Sequence, residues 1–221
     1  MSEETGTRTP SRIDRGSAAA AKHVVEESLP RPEVRQAVLD LLVESLRHAH
    51  AAKPGSWGLT LHPNAVRLNV GSMEALYFTR QKGREGFYLA VDDKALAPAD
   101  RETLTRTGVE FLGEYKVIPS SSRVFVPAEN MPSAVALLRD PHLSLVETAA
   151  RTIRTRSPWH ETHSPGATSY LRSLGYEVPE PEYTKWAAKE QDKVEQFRKL
   201  FDEFSDSFLK VIPKQNGLSY E

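Results

Sequence analysis

The chain predicts an α+β protein: an antiparallel sheet of about five or six strands flanked by helices, with a helical C-terminal half. Three observations carry this expectation. Residues 57–92 alternate apolar and polar side chains at period two in short runs separated by turn residues, the pattern of half-buried strands. Upstream and downstream, apolar residues instead recur at steps of three and four, the spacing of an amphipathic helix. A content of 39% hydrophobic and 27% charged residues is that of an ordinary folded domain, so both patterns have a core to serve.

Residues 1–16 are rich in Ser, Thr, Gly, Arg and acids. Ile13 is their only large aliphatic residue after Met1, and the segment reads as a disordered tail. An α+β domain over 17–178 follows. Ser17 caps a first helix that runs to Ser28 and stops at Pro30. Pro32 opens a second, whose Val34, Val38, Leu41, Leu42 and Leu46 share one face. Pro54-Gly55 ends it. Trp57, Leu59 and Leu61 then alternate with Thr60 and His62, and Val66, Leu68 and Val70 with Arg67 and Asn69. Met73–Thr79 and Gly86–Asp92 form a hairpin around the Arg80–Glu85 loop. Simple antiparallel counting in that hairpin sets Glu74 beside Val91 and Asp92.

A helix is expected near Asp100–Thr105, strands at Glu110–Ile118 and Arg123–Val126, and a helix at Pro132–Leu138. Pro141 should begin another that reaches about Thr155, and Ala167–Leu174 a short one ended by Gly175. Pro179 and Pro181 mark an internal boundary. Over 179–221 the chain reads as one helix, from about Tyr183 to Val211, docked on the domain or on a partner. Its seam of Val194, Phe197, Phe201, Phe204, Phe208 and Val211 makes the four phenylalanines the expected interface with a second copy or another protein.

Composition removes several function classes. With no cysteine, thiolate catalysis, iron–sulfur clusters and cysteine-ligated zinc are excluded. No apolar signal-peptide core and no run near 18 apolar residues occurs, so a cytoplasmic protein without a membrane partner is expected. No GxGxxG, GxxxxGK[ST] or GxSxG sequence appears, and no cofactor is implied. The net charge of −1 gives no global basic field.

Three constellations carry possible chemistry. Glu74 on one strand and Asp92-Asp93-Lys94 on the next resemble, over about twenty residues, the acidic–(D/E)xK pattern of the PD-(D/E)xK nucleases. That resemblance implies a divalent metal held by Glu74 and Asp92, with Lys94 positioning or activating water. The proline–aspartate half of the pattern is missing, since Ser72-Met73 precedes Glu74. In Trp159-His160-Glu161-Thr162-His163, His160 and His163 could ligate a metal, with His142 or His62 as a third ligand. This is not HExxH, and the flanking Pro158 and Pro165 oppose a long helix.

The third constellation is a local basic bias. Arg67, Asn69, Arg80, Lys82, Arg84, Arg123, Arg151 and Arg154 could contact nucleic acid, with Ser120–Ser122 donating to phosphates and Tyr77, Phe87 and Tyr88 stacking on bases. The segments Ser164–Leu171 and Pro179–Tyr183 resemble accessory modules of bacterial restriction-type defence proteins. The leading expectation is a non-catalytic binding module that uses a polar sheet face and basic loops, with nucleic acid as partner. A nuclease-like phosphodiesterase and an assembly protein pairing through the phenylalanine helix are the alternatives.

Overall fold

The computed structural model describes residues 17–79, 85–114, 118, 121–128, 131–152 and 164–180, and the backbone of 211–214 and 217–220. The chain divides into two compact units, Met1–Glu182 and Tyr183–Glu221.

The first unit is built on a sheet of six antiparallel strands: β1 (Trp57–His62), β2 (Ala65–Val70), β3 (Met73–Thr79), β4 (Gly86–Asp92), β5 (Glu110–Glu114) and β6 (Ser121–Pro127). Their spatial order is β1-β2-β3-β4-β6-β5. The mixed α+β architecture expected from the sequence is therefore what the chain adopts. Two rows of cross-strand partners define its faces. Leu59, Leu68, Leu76, Leu89, Val124 and Phe111 run across all six strands on one face. Thr60, Arg67, Tyr77, Tyr88, Phe125 and Glu110 run across the other.

Among the described residues, five helices flank the sheet: α1 (Ala18–Ser28), α2 (Pro32–Ala52), α3 (Pro98–Arg106), α4 (Met131–Thr152) and α5 (Pro165–Ser173). Helix α1 begins where the Ser17 hydroxyl accepts the Ala20 N–H at 3.2 Å, satisfying one of the donors that every helix start leaves orphaned. Ala21 and Val25 of α1, Leu39 and Leu42 of α2, and Ala167, Tyr170 and Leu171 of α5 converge on Leu59 and Val66. Helix α4 lies along α2, β4 and β6, while α3 sets Arg101 over the Phe111 ring at 4.1 Å. Trp57 is buried at the start of β1, and its indole N–H donates to His50 Nδ1 at the end of α2. Beyond α5, the Tyr176 hydroxyl donates to Asp40, and Arg47 donates to the Glu177 carbonyl, so this stretch is stitched onto α2.

One boundary differs from expectation. Pro141 does not separate two helices but lies inside α4, which is continuous from Met131 to Thr152. A proline removes one helical hydrogen bond. Here Leu138, Leu145, Val146 and Ala149 are buried on both sides of it. The next residue, His142, is tied to both α2 and β4, so packing and two hydrogen bonds hold the halves in line. Residues 153–155 lie outside the described set.

The second unit contains a hairpin of β7 (Val211–Lys214) and β8 (Gly217–Tyr220), paired from Val211↔Tyr220 to Lys214↔Gly217. Phe197, Phe201, Phe204 and Phe208 lie outside the described residues. Val211, expected to end their helix, stands in a strand.

Candidate functional site

A β-bulge builds the most reactive-looking surface of the sheet. The β2–β3 register runs Arg67↔Tyr77 and Leu68↔Leu76, then jumps to Asn69↔Glu74. Ala75 is the extra residue. Without it, strict alternation would place Glu74 with Leu76 and Phe78 against the helices. The bulge turns its carboxylate onto the opposite face, beside Arg67. The β3–β4 pairing, which includes Leu76↔Leu89 and Tyr77↔Tyr88, is recorded no nearer to Glu74 than Leu76. Counting that sets Glu74 against Val91 carries one register through the bulge, and so misses this turn.

On this face the Glu74 carboxylate spans two guanidinium groups. Oε1 is 2.9 Å from Arg67 Nη1, and Oε2 is 3.3 Å from Arg123 Nη2. Below them Tyr77 and Tyr88, directly opposed on β3 and β4, stack with centroids 4.5 Å apart and planes 10° apart. Arg123 sits 4.8 Å from both ring centroids and Arg67 5.5 Å from that of Tyr77. These distances are those of cation–π contacts. Tyr88 in turn leans on Phe125 at 4.9 Å.

Electrostatics leave the cluster positive. Burial, opposed mainly by Arg123, pushes the Tyr77 hydroxyl above its ordinary value, so it stays protonated at neutral pH. Burial and then Arg67 lower His62, so its ring stays neutral there. Among the described residues, two guanidiniums therefore face one carboxylate. The three side chains remain 33%, 30% and 26% exposed for Arg67, Arg123 and Glu74, which leaves them within reach of a ligand. The face around them is not bare: Thr60, Asn69 and Phe125 are buried on it, with the Asn69 amide donating to Thr60 Oγ1 at 3.3 Å.

The other sequence candidates are placed differently. Asp92 Oδ1 accepts the Lys94 backbone N–H and so closes the turn after β4. Asp93 is held by Arg101 at 3.1 Å and by the Ser122 hydroxyl. Glu74 is instead paired with Arg67 and Arg123, and among the described residues no three His, Cys, Asp or Glu side chains gather to hold a metal ion. His142 is fully buried between Ala90 and Ser45, which removes it as a third ligand for His160 and His163. Arg151 pairs with Glu147 one helical turn away. Ser121 and Ser122 open β6 and are buried, the first donating to the Ile118 carbonyl and the second to Asp93, while Ser120 lies outside the described residues. Phe87 is core. Arg80, Lys82, Arg84, Arg154, His160 and His163 lie outside the described residues.

Of the basic candidates, the structure thus brings Arg67 and Arg123 together, with Tyr77 and Tyr88 beneath them. Glu74 as their shared partner was not foreseen. Its position depends on a bulge whose mark in the sequence is the adjacent apolar pair Ala75-Leu76, a break in the apolar–polar alternation. No helix among the described residues is long and apolar enough to cross a membrane. Compared with protein-family models, curated proteins and solved structures, the chain gives no significant match. The two resemblances drawn from short motifs thus gain no relative, and function must be argued from geometry.

Proposed function

We propose that this chain is a non-catalytic binding module that contacts single-stranded nucleic acid through the sheet face of Arg67, Tyr77, Tyr88 and Arg123. The observation that carries the reading is the convergence of two guanidiniums from distant strands over one stacked tyrosine pair. Guanidinium groups supply bidentate donors for phosphate, and aromatic side chains supply stacking surfaces for unpaired bases. A duplex offers phosphates but hides its base faces, so the tyrosines favour single strands.

Fluorescence anisotropy with labelled oligothymidylate and oligouridylate tests this. Affinity should fall as salt rises from about 50 to about 200 mM, with a log–log slope near −0.7 per neutralised phosphate. Arg67→Ala/Arg123→Ala should weaken binding across sequences and make that slope shallower by about one to two. Absence of binding at low salt, or equal binding by the double variant, overturns the reading. Preference for duplex over single strands overturns the role given to the tyrosines.

A further inference from the structure

We infer that Glu74 is a built-in competitor that holds the seat a ligand phosphate takes between Arg67 and Arg123. The inference rests on the proposed function, and goes beyond it by giving the site a residue that sets its affinity threshold.

Three features point this way. First, each carboxylate oxygen faces a different guanidinium, at 2.9 and 3.3 Å, so one anion bridges two cations from different strands. A phosphate diester, with two non-bridging oxygens sharing one charge, can bridge the same pair. Second, the chain reaches this arrangement only through the Ala75 bulge, which takes Glu74 out of the register that would turn it toward the core. Third, the arrangement is not fully satisfied. Arg67 Nε is buried and has no hydrogen-bond acceptor among the described residues. An unpaired buried donor is costly, and holding the guanidinium down on Glu74 keeps it there. A ligand that draws Arg67 outward releases that N–H to an acceptor.

The competition must be modest. All three side chains are a quarter to a third exposed, so solvent screens the ion pairs and an arriving polyanion can displace the carboxylate. Removing its charge frees both arginines. Glu74→Gln should bind labelled oligothymidylate about three- to thirty-fold tighter than the wild-type chain, the range expected for two exposed ion pairs. In an Arg123→Ala background the same substitution should gain much less, because one of the competed contacts is already gone. Glu74→Asp keeps the charge but withdraws the carboxylate by one methylene. It should give a smaller gain, and it serves if the glutamine variant fails to fold.

The outcomes separate the two ideas. If the wild type binds through its arginines but Glu74→Gln and Glu74→Asp bind equally or less tightly, Glu74 organises the arginines and the inference is overturned while the function stands. If the gain is undiminished in the Arg123→Ala background, it reflects only a lost negative charge, and the inference again fails. If neither wild type nor variants bind single strands, the proposed function fails and the inference with it.

Discussion

Acid should weaken this fold through His142. Its ring is fully buried on α4, with Nδ1 2.7 Å from the Ala90 carbonyl of β4 and Nε2 2.8 Å from the Ser45 hydroxyl of α2. A carbonyl can only accept, so Nδ1 carries the proton, and in the neutral ring Nε2 shares the single Ser45 hydroxyl proton with the Leu41 carbonyl, 2.5 Å from Ser45 Oγ. Burial pushes the pKa down to about 4 from an ordinary 6.5, against the smaller pull of the Ala90 carbonyl. The charged groups facing it are on α2: Glu44, which favours the imidazolium and is itself paired with Arg139, and His48, which opposes it.

The folded ring thus resists a proton that the unfolded chain accepts readily. Above about pH 6.5 both states are neutral and the full stability is present. As pH falls through the window from 6.5 to about 4 only the unfolded state takes up the proton, and stability is lost. Two to three pH units at about 1.4 kcal/mol each give a loss of about 3 kcal/mol. Urea unfolding followed by circular dichroism between about pH 7.5 and pH 4 measures it. His142→Gln supplies the comparison, because an amide can donate to Ala90 and accept from Ser45 without titrating. It should cost about 1 kcal/mol near pH 7.5, then lose less on acidification, so that the two curves converge or cross. Parallel curves across that window would refute the assignment.

Two further substitutions test the frame. At Gly86, where φ is 157°, an added Cβ would meet the Val126 carbonyl oxygen at 2.3 Å and the Phe125 ring at 2.8 Å. Gly86→Ala should therefore destabilise by about 1–3 kcal/mol, read as a lowered urea midpoint. Ser17→Ala removes the side-chain cap of α1 and should cost about 1 kcal/mol by the same measurement, with an unchanged value pointing to a frayed first turn.

The frame was legible because local and tertiary preferences agree in it. The Ser17 cap, the Pro32 start and the four strands from Trp57 to Asp92 lie where turn residues and alternation put them. Two features escaped, each for a physical reason. Pro141 signals a helix end locally, but apolar contacts on both sides of it and the two bonds of His142 outweigh one missing N–H. The Ala75 bulge adds one residue to a strand and shows in the sequence as one adjacent apolar pair, Ala75-Leu76, which is easily taken for core padding. A one-residue shift in register moves a side chain to the other face without altering the composition that alternation reads.

That shift decides what the sheet face can do. Arg67 and Arg123 could be placed on a polar face by alternation alone, and Tyr77 and Tyr88 could be paired by counting back from the hairpin. Nothing in the spacing sends the Glu74 carboxylate between them. Once there it adds little stability, because ion pairs as exposed as these contribute about 0–1 kcal/mol each. The same exposure lets a ligand compete for the arginines. A contact that stabilises the fold weakly, yet occupies both phosphate-binding groups, has its larger leverage on binding. The core and the site therefore respond to different perturbations: acid acts through a buried histidine under the sheet, and salt acts through three charged side chains on its other face.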